Sequence, residues 1–283
     1  MAAVLSNGGG YYATFGYLSE AKRMGLQILP PDINESEIPY TGQGRKIRVG
    51  LMALMDLSQE SKEAILHVRS KNGPFSSLQN FMNRTAAHVH LQDTRILIKA
   101  GCFDSIAHGT TRAALMWQAL CFFDQDKTAT QALLFETGPM PSIADPPAHF
   151  PSPYPKHLML KHEMETLGFL LSIHPLDRYK DMLERLDHVK ACDLHAHVGE
   201  RVTTVGWQIT GKTVQTVHGH VMKFVSFEDQ TGIYETVLFP KVYHQCCHML
   251  NATRPYVLKA KVEEAFGAIT LTVQRIDFLI LRA

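Results

Sequence analysis

Two histidines near the C-terminal end of the sequence have the spacing of a metal site. His244 and His248 lie four residues apart on a predicted helix, so both imidazoles could bind one zinc ion and make the chain a metalloenzyme. Cys246 and Cys247 fall on other faces of that helix, and no third ligand has suitable spacing. The alternative, two surface histidines on a helix, needs no metal, and we assign no metal ligand.

A second candidate for chemistry is the acidic pair Asp124 and Asp126. Nucleotidyl transfer uses paired carboxylates that hold two divalent ions on a rigid sheet. This pair instead lies at the end of a predicted helix, beside a stretch in which seven of the fourteen prolines fall between Pro139 and Pro155. The surroundings favour solvated acids, and we assign no catalytic residue and no cofactor to this chain.

The segment Gln131-Ala132-Leu133-Leu134-Phe135 has the form of a short docking peptide. It precedes the proline-rich stretch, which we interpret as an exposed linker. Leu134 and Phe135 could fill an apolar pocket on a partner while the Gln131 amide fixes the orientation. The alternative is that the apolar side chains pack against the helix before them.

Alternating apolar and polar residues predict a small β-barrel at the C-terminal end. The strands are expected at 204–209, 222–228, 233–239, 256–263 and 269–274, with a short helix after Pro240. Gly232 is expected to close the hairpin after Asp229 with a positive φ, and Gly206 to mark a bulge or sharp bend. Three strands, a helix and two strands in this order predict an OB-fold, which commonly binds single-stranded nucleic acid.

Aromatic and basic side chains on these strands are candidates for contact with nucleic acid. Trp207, Phe224 and Tyr234 could stack on bases, and Lys212 and Lys223 could contact phosphates. Alternatively, Trp207 and Phe224 belong to the core of the barrel.

From Lys46 to Leu120 the sequence is typical of short helices and tight turns. Helices are expected over 49–54, over 59–69 with Ser58 as N-cap, over 93–99, and from Thr110 or Thr111 to about Leu120. Two helix-hairpin-helix units fit this pattern, because backbone N–H groups at a hairpin and a helix N-terminus can hold a DNA phosphate. Lys99 and Gly101 at the second hairpin are the DNA-binding candidates, and a plain helical bundle is the alternative.

Composition limits the partners and the compartment. The 283 residues are 45% hydrophobic, enough for two or three packed modules, and their net charge of +1 excludes a chain that coats nucleic acid with cations. The sequence has no signal peptide and no run long enough to cross a membrane, and its five cysteines have no paired spacing, so we expect a cytoplasmic protein. The expected fold class is α+β, with a helical tandem helix-hairpin-helix region, a linker and a C-terminal OB-fold β-barrel.

A series of motifs follows one order along almost the whole chain: Val4–Gly10, Glu20–Gly25, Ile28–Asn34, Ile47–Leu51, Gly73–Phe75, Leu97–Asp104, Leu167–Phe169, Ser172–Leu176 and Phe227–Gly232. In this order they resemble the C-terminal portion of bacterial C-family DNA polymerases, the DNA polymerase III alpha subunit and its error-prone paralogue. The resemblance implies five regions: the end of the fingers region at 1–38, tandem helix-hairpin-helix motifs at 39–121, a Pro-rich linker with a clamp-binding peptide at 122–160, a helical connector at 161–194 and the OB-fold at 195–283.

The resemblance implies a non-catalytic part of a polymerase that acts in replication or translesion synthesis. It would grip duplex primer–template DNA, tether the enzyme to the sliding clamp through Gln131, Leu134 and Phe135, and place the OB-fold near the single-stranded template. The metal-binding aspartates and the Mg²⁺ of the parent enzyme would lie upstream of Met1, and other replisome subunits are further partners.

Two departures from the family pattern bear on this expectation. The first hairpin, Met55-Asp56-Leu57-Ser58, lacks paired glycines and places a carboxylate near the expected phosphate, and the OB face lacks a dense basic stripe. The alternative function is a protein-interaction module whose OB-fold binds a partner subunit and no nucleic acid.

Overall fold

The computed structural model describes residues 1–8, 10–132, 154–251 and 253–280, with 125–132 described by their backbone alone. The chain forms two compact units, Met1–Asn7 with Gln27–Ser172, here the helical unit, and Gly8–Leu26 with Ile173–Ala283, here the barrel unit. The segment 8–26, expected to end a fingers region, is therefore grouped with the barrel. Across the described ranges, no helix combines the length and apolar character of a membrane span.

The secondary structure mixes short helices with two sheets. The α-helices are α1 Ala2–Ser6, α2 Thr14–Arg23, α3 Gln59–Asn72, α4 Leu78–Thr85, α5 Leu91–Ala100, α6 Arg112–Ala132, α7 Lys156–Leu167, α8 Lys180–Leu183 and α9 Pro240–Cys246. The strands are β1 Gln27–Leu29, β2 Thr41–Gln43, β3 Lys46–Arg48, β4 Arg201–Gln215, β5 Val221–Glu228, β6 Ile233–Leu238, β7 Pro255–Ala265 and β8 Ala268–Phe278. Single 3₁₀ turns occur at Leu51–Ala53, Asp104–Ile106, Pro175–Tyr179, Ala191–His197 and Cys247–Met249.

The helical unit packs α3 to α7 around a core rich in phenylalanine. The rings of Phe75, Phe81 and Phe103 meet edge to face at centroid distances of 5.1 and 5.0 Å. Ser58 caps α3 as predicted, since its hydroxyl accepts the N–H of Ser61 at 3.1 Å. A small sheet of order β1-β3-β2 was not predicted, because its strands are only three residues long.

Two predictions in the helical unit are wrong in extent. The helix expected over 49–54 is one 3₁₀ turn, Leu51–Ala53, because Gly50 lies against the backbone of Ile38 and Pro39 in an extended conformation. The helix expected to end near Leu120 continues to Ala132, so the first eleven residues of the expected linker, 122–132, are helical. Asp124 therefore lies inside α6 and not at its end.

The barrel unit contains a closed five-stranded barrel of order β4-β5-β6-β8-β7. The β6–β8 pair is parallel and the other pairs are antiparallel, and α9 connects β6 to β7. This is the strand order of an OB-fold, and the predicted α+β fold class is confirmed. Inward residues at every second position form the core, among them Val225, Phe227, Leu258 and Val262.

Both glycine predictions in the barrel are wrong in mechanism. Gly232 does not have a positive φ; instead the Asp229 carboxylate accepts the N–H groups of Thr231 and Gly232 at 2.7 and 3.0 Å and closes the loop. The bulge of β4 lies between Gln208 and Thr210, not at Gly206. Gly206 is required for packing, since a Cβ there would meet the Tyr234 hydroxyl and lie 2.7 Å from Phe227 Cβ.

Candidate nucleic-acid interface

The second hairpin, between α5 and α6, turns sharply at Gly101. This residue has the left-handed conformation, φ 84° and ψ 18°, and the Cys102 N–H donates to Leu97 O at 3.0 Å. Gly101 was predicted as a DNA contact, but it is buried and its N–H donates to Ile98 O. The structure therefore corrects its role: Gly101 shapes the hairpin and does not present its own N–H to a phosphate.

Arg112, the first residue of α6, holds this hairpin together. Its guanidinium donates to Lys99 O at 2.9 Å and to the two Asp104 carboxylate oxygens at 3.0 and 2.5 Å, and it packs directly over Gly101. Burial opposes the charge of Arg112, but the hydrogen bond and charge of Asp104 outweigh it and raise the Arg112 pKa. The guanidinium thus stays charged at the start of α6.

A cavity of about 280 Å³ opens beside this helix start. Its lining combines basic residues with apolar ones from α5, α6 and α7: Arg95, Lys99, Arg112 and His162 with Ile98, Ala113, Met116, Tyr154 and Leu158. The first N–H groups of a helix have no acceptor within it and carry a partial positive charge. Arg112 and Ala113 are the first residues of α6 and both line the cavity, so its basic side chains and the adjacent helix start make it a candidate site for an anion.

Two cations of the cavity, Lys99 and Arg112, already have carboxylate partners. Lys99 Nζ lies 2.8 Å from Glu165 Oε2, and that hydrogen bond lowers the Glu165 pKa. His162 is held neutral, because burial and the neighbouring Lys99 lower its pKa, and its Nδ1 lies 2.8 Å from the Tyr154 hydroxyl. At Lys99 and Arg112 a phosphate would therefore replace an existing anion, whereas Arg95 is exposed.

The first hairpin differs, since the N-terminus of α3 is already occupied by an internal carboxylate. Asp93, 8% exposed, accepts the Ser58 N–H at 3.2 Å and the hydroxyls of Ser58 and Ser61 at 2.9 and 2.7 Å. Asp56 takes the left-handed position of the hairpin with φ 61°, where a glycine would be unstrained. Asp93 thus fills the place that an incoming phosphate would need.

On the barrel, the structure separates the five predicted contacts into three groups by their exposure. Lys212 and Phe224 are exposed and lie directly across from each other in the β4–β5 register. Trp207 is half-buried and packs on the outside of β4 against Leu176 and Val205. Phe224 and Lys212 are therefore the pair with accessible side chains.

Burial contradicts the roles predicted for the other two. Tyr234 is 4% exposed in the barrel core, its ring stacked on Phe227 at 6.1 Å, so it has no face for a base. Lys223 is 8% exposed, because it shares the inward side of β5 with Val225 and Phe227. Its stem lies against Gly211, so it is not placed for a phosphate.

The structure describes both members of the histidine pair but only part of the docking peptide. Gln131 lies in the last turn of α6, whereas Leu134 and Phe135 fall outside the described residues. His244 lies in α9 and His248 in the 3₁₀ turn that follows, and both are exposed. In the described part of the chain no group of three or more His, Cys, Asp or Glu side chains could hold a metal ion.

Sequence reasoning missed Arg95, Arg112 and Asp93. Asp104 and Arg112 are eight residues apart on either side of the hairpin, and Asp93 contacts residues 35 and 32 positions earlier. A basic residue directly after the Thr110-Thr111 cap was the available signal for Arg112. The contacts of Asp93 had no signal in the local pattern.

We expect Gly101→Ala to destabilise the chain more than Gly109→Ala. Both glycines are in the α5–α6 connection at φ 84° and 86°, but a Cβ at 101 meets Arg112 and lies 2.9 Å from Asp104 Oδ2, whereas a Cβ at 109 has nothing within 4 Å. Each change costs about 1–2 kcal/mol for the left-handed conformation, and the clash at 101 adds about 1–3 kcal/mol. Urea unfolding measures the free energy of unfolding of each variant. Equal decreases in the two variants would show that Arg112 does not pack over Gly101.

The sequence is similar to a known motif family and to two groups of bacterial DNA polymerases. A family model described as a helix-hairpin-helix motif matches residues 25–115. The chain is 29% identical to the DNA polymerase III subunit alpha of Saccharopolyspora erythraea, over 96% of this chain and 24% of the relative. It is 28% identical to an error-prone DNA polymerase of Rhodopirellula baltica, over 95% of this chain and 23% of the relative.

The chain therefore spans about a quarter of the length of these relatives. A solved structure titled as the second OB-fold domain of replication protein A from Methanococcus maripaludis covers 30% of this chain and 89% of its own, at 12% identity and a TM-score of 0.23. The OB-fold of this chain follows from its strand order. The resemblance predicted from the motifs is confirmed: over almost its whole length, the chain is similar to the C-terminal portion of bacterial C-family DNA polymerases.

Proposed function

We propose that this chain holds primer–template DNA and tethers a bacterial DNA polymerase to its sliding clamp, and that it contributes binding rather than catalysis. The observation that carries the proposal is the cavity at the start of α6, whose basic residues Arg95, Lys99 and Arg112 lie within the helix-hairpin-helix match. The parent enzyme would act in the cytoplasm, use Mg²⁺ held by residues outside this chain, and contact other replisome subunits.

The duplex contact is assigned to the second hairpin alone. A backbone phosphate at the cavity would accept N–H groups from the first turn of α6 and displace Glu165 or Asp104 from their cations. The first hairpin is excluded from this role by Asp93. A single phosphate site fits a chain whose net charge is +1, because binding without a basic surface depends on few contacts.

The single-stranded template is assigned to the exposed pair Lys212 and Phe224. An aromatic ring with a lysine across the strand pair provides stacking for a base and a charge for its phosphate. Tethering is assigned to Gln131, Leu134 and Phe135. A clamp that encircles DNA keeps the enzyme near its substrate, which raises processivity through effective concentration and leaves the chemical step unchanged.

Lys99→Gln is expected to weaken duplex binding severalfold and to reduce the salt dependence of binding. Loss of one phosphate contact lowers the slope of log K against log salt by about one. Fluorescence anisotropy with a labelled primer–template from low to moderate salt measures the slope. Lys71→Gln, the same charge change on an exposed residue of α3, is the control, and equal slopes for the two variants would remove the second hairpin from the interface.

Phe224→Ala is expected to weaken binding of a short oligothymidylate. Base stacking contributes about 1–3 kcal/mol, a factor of roughly 5 to 150 in affinity. Phe224→Tyr keeps the ring and serves as the matched control, so its affinity should stay near that of the parent. If the unsubstituted chain shows no salt-sensitive oligonucleotide binding, the result would favour the alternative function, an OB-fold that binds a partner subunit and no nucleic acid.

Gln131→Ala combined with Phe135→Ala is expected to weaken binding to the purified clamp at least tenfold. A buried Phe contributes about 1.5–3 kcal/mol, and tenfold corresponds to about 1.4 kcal/mol. Surface plasmon resonance with immobilised clamp measures the affinity, and Phe150→Ala removes a phenylalanine of the same proline-rich stretch as a control. Unchanged affinity in the double variant would place the tether elsewhere.

A further inference from the structure

The outer face of β5 and β6 is covered by a helix of the barrel unit. Val225 and Phe227 point into the barrel core, so Ser226 and Glu228 lie on the outer face of β5. Both are nevertheless 0% exposed. A polar outer face becomes fully buried only when another element lies on it, and that element is α2 with the residues just before it.

The contacts between α2 and this face are polar and specific. The Ser19 hydroxyl donates to Glu228 Oε1 at 3.1 Å, and the Tyr12 hydroxyl donates to Glu235 Oε1 at 3.0 Å. Arg23 donates to Asp229 O at 3.5 Å and forms an ion pair with Glu228 at 3.6 Å. The barrel thus presents carboxylates, and the helix presents two hydroxyls and a guanidinium.

His174 also approaches Glu228, from the connector before the barrel, in an ion-pair contact without hydrogen-bond geometry. Its Nδ1 accepts the N–H of Leu176 at 3.2 Å, so in the neutral imidazole the proton is on Nε2. That atom lies 3.3 Å from Glu228 Oε1. Helix and connector therefore meet at one buried carboxylate.

We infer that the β5–β6 face of this barrel is a docking surface for a helix, that its occupant is residues 8–26, and that Glu228 is the group that selects it. In OB-folds, the corresponding face of the second and third strands binds oligonucleotides. Here it carries Glu228 and Glu235, which repel phosphates, and Glu228 pairs with Arg23. Single strands are therefore excluded from this part of the barrel, while Phe224 at the other end of β5 stays exposed.

Hydrogen exchange of the whole chain, read at the amides of α2, tests this inference. Glu228→Gln keeps the shape and removes the charge that pairs with Arg23, and it should speed exchange of residues 14–23 at least tenfold. Ser19→Ala removes one hydrogen bond and should give a smaller change in the same direction. Glu264→Gln, on an exposed residue of β7, is the matched control and should change nothing.

The same measurement with saturating oligothymidylate completes the test. Exchange of α2 should be unchanged when DNA binds, because the part of the face that α2 covers is not a nucleic-acid site. Two results would overturn the inference: unaltered α2 exchange in both variants, or faster α2 exchange on adding oligonucleotide. If Glu228→Gln also exposes β7 and β8, the barrel has unfolded and Ser19→Ala decides. None of these readouts depends on whether Phe224 stacks on a base.

Discussion

Burial of carboxylates is the constraint on which this structure depends. Five carboxylates are buried in the described residues: Asp32, Asp93, Glu163, Glu228 and Asp229. A buried charge is costly unless its oxygens accept hydrogen bonds, so each of these groups must find donors. Most of the donors come from another segment: Asp93 binds the start of α3, Glu163 the loop after α7, Asp229 the turn at Ala191, and Glu228 the helix α2. Each of these four carboxylates thereby fixes the position of two segments at once, whereas Asp32 accepts the N–H groups of its neighbours Asn34 and Glu35.

The same constraint explains how much of the fold was predictable. Three barrel strands, β4, β7 and β8, follow from a period of two, because one side of each strand faces the core and the other faces outward. The strands β5 and β6 were placed from their aromatic and β-branched residues on either side of a predicted turn. The hairpin between β5 and β6 was also placed, but for the wrong reason. Gly232 suggested a positive φ, whereas the Asp229 carboxylate closes the loop by accepting three donors from Thr231 and Gly232. A local pattern locates a turn without showing which group stabilises it.

The candidate site was less predictable, because its geometry depends on residues distant in sequence. The period of three to four identified α5, and Gly101 marked its end, but only the fold shows that Arg112 covers that glycine. In the barrel, the alternation of apolar and polar residues is enough to predict that Val225 faces the core and that Phe224 faces outward. It did not exclude Tyr234, whose place on the inward side of β6 depends on the exact register of the strand. Nor does alternation show that α2 covers Glu228, a contact across 209 residues.

The ion pairs that Lys99 and Arg112 already form limit how tightly this chain could bind a DNA phosphate. Lys99 and Arg112 are each bound to a carboxylate. A phosphate that replaces one of these carboxylates therefore gains only the difference in free energy between the new ion pair and the old one. On the proposed function, such a contact is weak and exchanges readily, which suits a part that must release the duplex at every step along it. Residence on DNA would then have to come from the clamp, because a tether maintains proximity while individual phosphate contacts break. On that proposal, the near-neutral charge and the docking peptide are parts of one arrangement, in which weak contacts allow movement along DNA and the tether supplies attachment.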